Sequence, residues 1–268
     1  MKFNDMHVHT SSSPDADLPA VELCGMALEA GVETIGFVAH VDLHPSDYCY
    51  NGFSESDYLE ELDLAESSGV RVLRGLEVGE PHIFMDKAES LFTESRYDFI
   101  TGALHWIEDG LILDEAPFLH GDHREIVEKY YRETLKIVQY SSINILAHMG
   151  IFRRGMTRAG LAVDFDETIL FPSLIREIFA TMIHRGIALE VNTSGLRRPE
   201  KTTYPTAGVL RLYAELGGRR ITLGSDTHKQ ENAFFGLSSG NSLIRSCGFT
   251  DYGIFVRSEY ASCPLLGN

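Results

Sequence analysis

Six histidines and two carboxylates stand where they could hold metal ions. His7 and His9 are two residues apart in MHVH, a spacing that places both side chains on one face of a strand and lets two imidazoles grip one ion. Asp226 and His228 repeat that spacing in SDTH. His40, His105 and His148 end the short apolar runs FVAH, GALH and ILAH, and Glu77 lies in a fourth, GLEVG. Neutral imidazole and carboxylate are ligands suited to zinc, manganese or iron, as in catalytic rather than sealed structural sites. The four cysteines, Cys24, Cys49, Cys247 and Cys263, form no CxxC pair. A disulfide framework, a cysteine-based zinc site and a thioredoxin-like centre are therefore not expected, and the thiols read as ordinary reduced side chains.

Positioning these residues falls to seven strand-like runs, approximately Phe3 to His9, Thr34 to His40, Val70 to Val78, Asp98 to His105, Ile143 to His148, Ile187 to Asn192 and Arg220 to Asp226. Each is short, apolar and rich in β-branched or aromatic residues, and several lack strict alternation, as strands buried on both faces should. Helix-like segments separate them, the pattern of a parallel sheet or an α/β barrel. In a parallel barrel all strand C-termini share one rim, so ligands far apart in sequence converge there.

Pro19 and Gly31 bracket the first helix, and Ser54 with Asp57 reads as the N-terminal cap of the second. Asp122 to Tyr140 puts Ile126, Tyr130, Ile137 and Val138 on one helical face. Thr168 to Arg185 and Thr206 to Leu216 supply two more helices, ended by Gly186 and Gly217. Nothing divides residues 1–268 into parts, so one domain is expected, with Tyr252 to Asn268 unassigned.

No apolar stretch approaches the roughly 20 residues that cross a bilayer, and the opening MKFNDMHVHT has no signal-peptide character; a cytoplasmic location is expected. The formal charge of −16 disfavours a stable nucleic-acid partner, whose phosphates are neutralised by Lys and Arg. An anionic substrate needs a locally positive site.

The ordered set DMHVHT, SPDAD, FVAHVD, GLEVGE, GALHW, LAHMG, ALEVNTSGLRRP and GSDTHK resembles the polymerase and histidinol phosphatase (PHP) superfamily nearly end to end, most closely its bacterial histidinol-phosphatase branch. The resemblance implies a distorted seven-stranded (β/α)7 barrel with two or three divalent ions (Zn, Mn or Fe) at the C-terminal rim. It implies one ion on His7, His9, Glu77 and Asp226, a second on His40, His228 and Asp15, and a third on His105 and His148 with Glu77 bridging. Asp15 enters only through the resemblance, since SSSPDAD otherwise reads as a turn. Relatives often carry an acidic residue where this chain has Ala39, and another after the LAHMG motif where this chain continues into IFRRG; neither departure removes a ligand.

Three divalent ions bring about six positive charges against three from Asp15, Glu77 and Asp226, which resolves the attraction of a phosphate dianion to an acidic protein. A water bridging two ions is deprotonated near neutral pH and can attack phosphorus without a protein nucleophile. Arg153, Arg154, Arg158, Arg197 and Arg198 are loop candidates for phosphate contact, with Arg197 first by resemblance and Arg154 and Arg158 next. His82, five residues beyond Glu77, is the candidate proton donor. The reading is a metal-dependent phosphomonoesterase acting, by resemblance, on L-histidinol phosphate in histidine biosynthesis. The alternatives are a related phosphoesterase for a nucleotide, sugar phosphate or short oligonucleotide, and a non-catalytic metal-stabilised scaffold.

Overall fold

Every apolar run read from the sequence forms a strand in the computed structural model, which describes residues 2–92, 96–120 and 122–266. The strands are β1 (Phe3–His9), β2 (Val32–Asp42), β3 (Arg71–Gly79), β4 (Phe99–Ala103), β5 (Ile145–Leu146), β6 (Ala188–Asn192) and β7 (Ile221–Gly224). They are parallel and hydrogen-bonded in that order in one sheet. The ring closes between β7 and β1 through a single parallel bridge, Val8 to Thr227, with His9 N donating to Thr227 O at 2.9 Å and Asp226 N to His7 O at 2.9 Å. A side chain completes the seam: Asp5 Oδ1 accepts from Ser225 N at 2.9 Å and from His7 N at 3.2 Å. This is the distorted seven-stranded barrel expected.

The helices are α1 (Ala20–Ala30), α2 (Glu55–Ala65), α3 (Met85–Phe92), α4 (His123–Tyr140), α5 (Arg153–Arg158), α6 (Glu167–Leu170), α7 (Pro172–Arg185), α8 (Ala207–Glu215) and α9 (Leu237–Ser246). Three expectations change. Ser54 stands at the N-cap of α2 with extended backbone but makes no capping bond; its hydroxyl lies 3.3 Å from that of Ser56 instead. The single helix expected over 168–185 is two, because Pro172 has no N–H to donate and drives Phe171 out of the helical region (φ −132°, ψ 51°). On α4 the buried face runs through Val127, Tyr130, Tyr131, Thr134, Ile137 and Val138, so Val127 takes the place expected of Ile126.

The unassigned tail is an antiparallel hairpin, β8 (Asp251–Val256) with β9 (Glu259–Pro264). Its Ile254 and Phe255 pack on Met6, Val38, Leu73, Phe99, Ile145 and Ala188, one residue from each of the first six strands. Arg257 N and Ser258 N anchor the turn to Asp98, just before β4. The hairpin thus plugs the N-terminal end of the barrel, leaving the opposite rim for chemistry. Among the described residues no helix is long and apolar enough to cross a membrane.

Phe255→Ala is expected to cost about 3–5 kcal/mol, the range for emptying a buried aromatic site, because Phe255 is 1% exposed. Urea unfolding checks this, with Tyr140→Ala, 62% exposed on α4, expected to leave the midpoint unchanged.

Candidate metal centre

Glu77 is the hub of the rim. It sits in register with His40 on the neighbouring strand and is 1% exposed. Its Oε1 lies 2.7 Å from His148 Nε2 and 3.6 Å from His105 Nε2. Its Oε2 lies 3.3 Å from His9 Nε2, 3.5 Å from His7 Nε2 and 3.3 Å from His40 Nδ1. Asp226 Oδ1 stands 3.9 Å from Nε2 of both His7 and His9. Asp15 Oδ2 lies 3.6 Å from His40 Nε2 and 3.3 Å from His228 Nε2. All nine residues expected to bind metal are therefore brought together at one rim, where the sets close enough to share one ion include His7, His9 and Asp226, His9, His40 and His228, and His7, Glu77 and His148.

The imidazoles are aimed by partners on their far side. His7 Nδ1 pairs with Glu190 Oε1 at 2.7 Å and His105 Nδ1 with Asp42 Oδ1 at 2.8 Å. His9 Nδ1 lies 3.3 Å from Ser13 Oγ, and His228 Nδ1 lies 3.1 Å from Asp226 O. Each anchor leaves Nε2 facing inward, the arrangement that fixes tautomer and orientation for a ligand. His40 Nδ1 approaches Asp42 Oδ2 to 3.0 Å without reaching hydrogen-bond geometry. Inward nitrogens then face each other directly, His7 Nε2 to His9 Nε2 at 3.1 Å and His40 Nε2 to His228 Nε2 at 3.3 Å. Buried nitrogens converging on one another and on carboxylates, with Asp15 Oδ1 and His148 Nδ1 buried and unpartnered, form a donor set that fits divalent ions.

Two anchors need glycine beside them. Gly79 pairs in register with Asp42, and a Cβ there would overlap Asp42 Oδ1; a Cβ at Gly224 would overlap Glu190 Oε1. Backbone geometry also bends to the site, with His148 at φ 25° and Asp226 at φ 57°, left-handed positions that non-glycine residues rarely adopt. His148 leaves the extended region, which is why β5 is short. The loop bearing Asp15 is organised by Glu61 of α2, which accepts from the hydroxyls of Thr10, Ser11 and Ser12 and from Ala20 N. Asp17 N also donates to His228 O at 2.9 Å, tying that loop to a ligand.

Charge is distributed unevenly. Burial, joined by His228 and His40 alongside, pushes His9 down to about 3, so it stays neutral. At His40 burial is outweighed by Asp42 and Glu77, which push it up to about 9. Burial would raise Glu77 and Asp226, yet the surrounding imidazoles hold both well below the usual carboxylate range. Glu80, whose Oε1 accepts from His105 N at 2.6 Å and Trp106 N at 2.9 Å, is pushed up to about 7 by burial.

Several expectations outside the ligand set are corrected. His82 does not line the rim cavity; it is buried with its Nε2 on Glu133 Oε2 of α4 at 2.9 Å, so it is not placed to donate a proton there. Arg197 donates to Ser225 O and Asp226 O at 2.7 Å each and shapes the turn that carries Asp226 instead of pointing at phosphate. Arg158 lies half-exposed on Asp114 at 2.6 Å, outside the cavity, and Arg153 is buried against Glu167. Arg154 is the arginine that lines the cavity, 3.7 Å from Asp226 Oδ2 with its Nε buried and unpartnered. Arg198 stands near it, pushed down to about 10 by burial and by Arg154. Glu190 and Glu80 escaped the sequence reading, although a glutamate within or just after an apolar strand was a usable signal.

Fold and site define the class: a barrel with an imidazole–carboxylate centre at its C-terminal rim. The PHP domain matches residues 5–194, and the chain belongs to that family, whose members of this kind are metal-dependent phosphatases. It is 26% identical over 264 residues to a histidinol-phosphatase of Lactococcus lactis, covering 95% of each chain. It is likewise 26% identical over 252 residues to a "Probable histidinol-phosphatase" of Clostridium acetobutylicum, covering 91% of this chain and 93% of that one. The crystal structure of the histidinol phosphate phosphatase of Lactococcus lactis, complexed with zinc, L-histidinol and phosphate, superposes with a TM-score of 0.79 at 22% identity, over 96% of this chain and 98% of that one.

Glu190→Gln and Asp42→Asn are each expected to weaken zinc binding by about 10–100-fold, the usual effect of losing an orienting partner, as read by competition with a chromogenic chelator. The metal-free protein should also lose stability with rising pH. His40 is raised from 6.5 in the unfolded chain to about 9, so its contribution is fully present below 6.5 and lost as pH climbs through 9. Thermal melts of chelator-treated protein across that window should show a falling midpoint, and zinc should abolish the fall.

Proposed function

We propose that the chain hydrolyses a small phosphomonoester, L-histidinol phosphate, to L-histidinol and inorganic phosphate. The observation that carries the reading is the convergence of nine imidazole and carboxylate groups at one rim, seven of them lining a cavity that Arg154 also lines, in a chain matching a histidinol-phosphatase over 95% of both lengths.

Asp15, His7, His9, His40, Glu77, His105, His148, Asp226 and His228 would hold two or three divalent ions, zinc being the ion named in the structure of the Lactococcus relative. Bound there, such ions supply Lewis acidity that activates water and neutralises phosphoryl oxygens. The chain's own groups do the rest. Arg154 has an unpartnered Nε, while its Nη2 donates to Ser194 Oγ at 3.3 Å and lies 3.7 Å from Asp226 Oδ2; its remaining N–H groups would donate to a phosphoryl oxygen and stabilise its charge in the transition state. Arg198 adds positive potential behind it. Arg197 holds Asp226 in its left-handed turn, so that its carboxylate faces His7 and His9.

The cavity is about 170 Å³ and is walled beyond the ligands by Asp47, Tyr48, Leu111, Leu113 and Ile151. That size and the acidic wall suit a compact leaving group that carries positive charge better than an extended polyanion.

Steady-state kinetics on L-histidinol phosphate, p-nitrophenyl phosphate, AMP and glucose 6-phosphate, with zinc or manganese added, tests the proposal. The expected kcat/KM for histidinol phosphate exceeds the others by at least about tenfold, a difference of roughly 1.4 kcal/mol in transition-state binding. Equal values would end the substrate assignment while leaving a metal phosphoesterase. Arg154→Ala should lower kcat by about 10²-fold or more. Asp226→Asn and His9→Ala should lose both metal and turnover.

A further inference from the structure

One thiol lies inside the cavity instead of standing apart from the chemistry. Cys49 follows β2 in a turn fixed by donation of its own N–H to Asp47 Oδ1 at 2.7 Å. It is 6% exposed and lines the cavity beside Asp15, His40, Asp226 and His228. The thiol is free, and among the described residues its sulfur has no hydrogen-bond partner. The sulfur, a ring nitrogen of His40 and a carboxylate oxygen of Asp15 all lie within 4.8 Å of one another. Asp42 and Asp47 also approach it, but both are engaged elsewhere, Asp42 with the rings of His40 and His105 and Asp47 with Trp106 Nε1 at 2.7 Å.

We propose that Cys49 is a further ligand of the metal position formed by Asp15, His40 and His228, and that its sulfur biases this position toward zinc over manganese. The proposal rests on the reading of the cavity as a metal centre, but not on its substrate. Zinc takes sulfur at about 2.3 Å and imidazole or carboxylate at about 2.0–2.2 Å, so ligands of a tetrahedral ion stand roughly 3.5 Å apart. Little more than about 1 Å of side-chain movement then seats Asp15, His40 and Cys49 on one ion. Coordination exchanges the S–H bond for a sulfur–metal bond and releases the proton to solvent. A thiolate favours zinc over manganese because manganese prefers oxygen donors. Four protein ligands would fill a tetrahedral zinc, so a water or phosphoryl oxygen would reach this ion by expansion to five-coordination.

Cobalt(II) loaded into the full chain in place of zinc tests this without any turnover. The wild type is expected to show both visible d–d bands and a near-ultraviolet thiolate-to-cobalt charge-transfer band. In Cys49→Ser and in Cys49→Ala the charge-transfer band should vanish while the d–d bands remain. Cys263→Ser, in the C-terminal hairpin, should keep both. In competition experiments Cys49→Ser should lose roughly tenfold or more in zinc affinity relative to manganese, at least the effect of an orienting partner. Cobalt d–d bands without a charge-transfer band in the wild type, or a band that survives Cys49→Ser, would overturn the proposal and leave the metal centre standing. Failure to bind cobalt at all would bring down both.

Discussion

The structure is organised around a buried carboxylate that five imidazoles surround. Glu77 lies within 3.6 Å of nitrogen atoms from His7, His9, His40, His105 and His148, and Asp226 and Asp15 extend the cluster to His228. Taking so many ionisable groups from water is costly unless each is paired or coordinates a metal. Without a cation the protein divides the problem unevenly, with some imidazoles driven up by carboxylates and His9 driven down by burial and by its histidine neighbours. Divalent ions remove that conflict, because every inward nitrogen can then act as a neutral donor.

The surrounding fold meets that requirement at several levels. Parallel strands bring the ligands to one rim, and a layer of anchors behind them, Glu190, Asp42 and Ser13, sets which nitrogen points inward. The anchors in turn require Gly79 and Gly224 on adjacent strands. Left-handed backbone at His148 and Asp226 is sustained by the bond that His148 N donates to Glu190 Oε2 and the one that Arg197 donates to the Asp226 carbonyl. The opposite end is sealed by Ile254 and Phe255, so apolar packing and metal chemistry occupy separate ends of one barrel.

How much of this was legible in the sequence follows the physics of each feature. The six histidines could be read because a strand of known direction delivers its last residues to a shared rim, and a spacing of two fixes a common face. Asp15 could not be read this way: it sits in a loop whose shape depends on Glu61, a residue on another element. The anchors are contacts between strands distant in sequence, such as His7 with Glu190, and no local pattern encodes them. Among the candidate arginines Arg154 meets the cavity whereas Arg197 meets backbone carbonyls, because loop geometry, which no local pattern encodes, decides where a guanidinium points. Cys49 was dismissed on motif spacing, although coordination depends on position in space. The hairpin lay hidden because its role, filling the barrel floor, is set by six other strands.

The central claim is that the converging ligands form one multinuclear centre with Glu77 at its middle. Elemental analysis of the purified chain, wild type beside Glu77→Ala, tests it most directly. Two or three divalent ions per chain are expected in the wild type, and a loss of at least one ion in Glu77→Ala with the fold retained. One ion or none in the wild type after incubation with zinc, or the same content in both proteins, would contradict it.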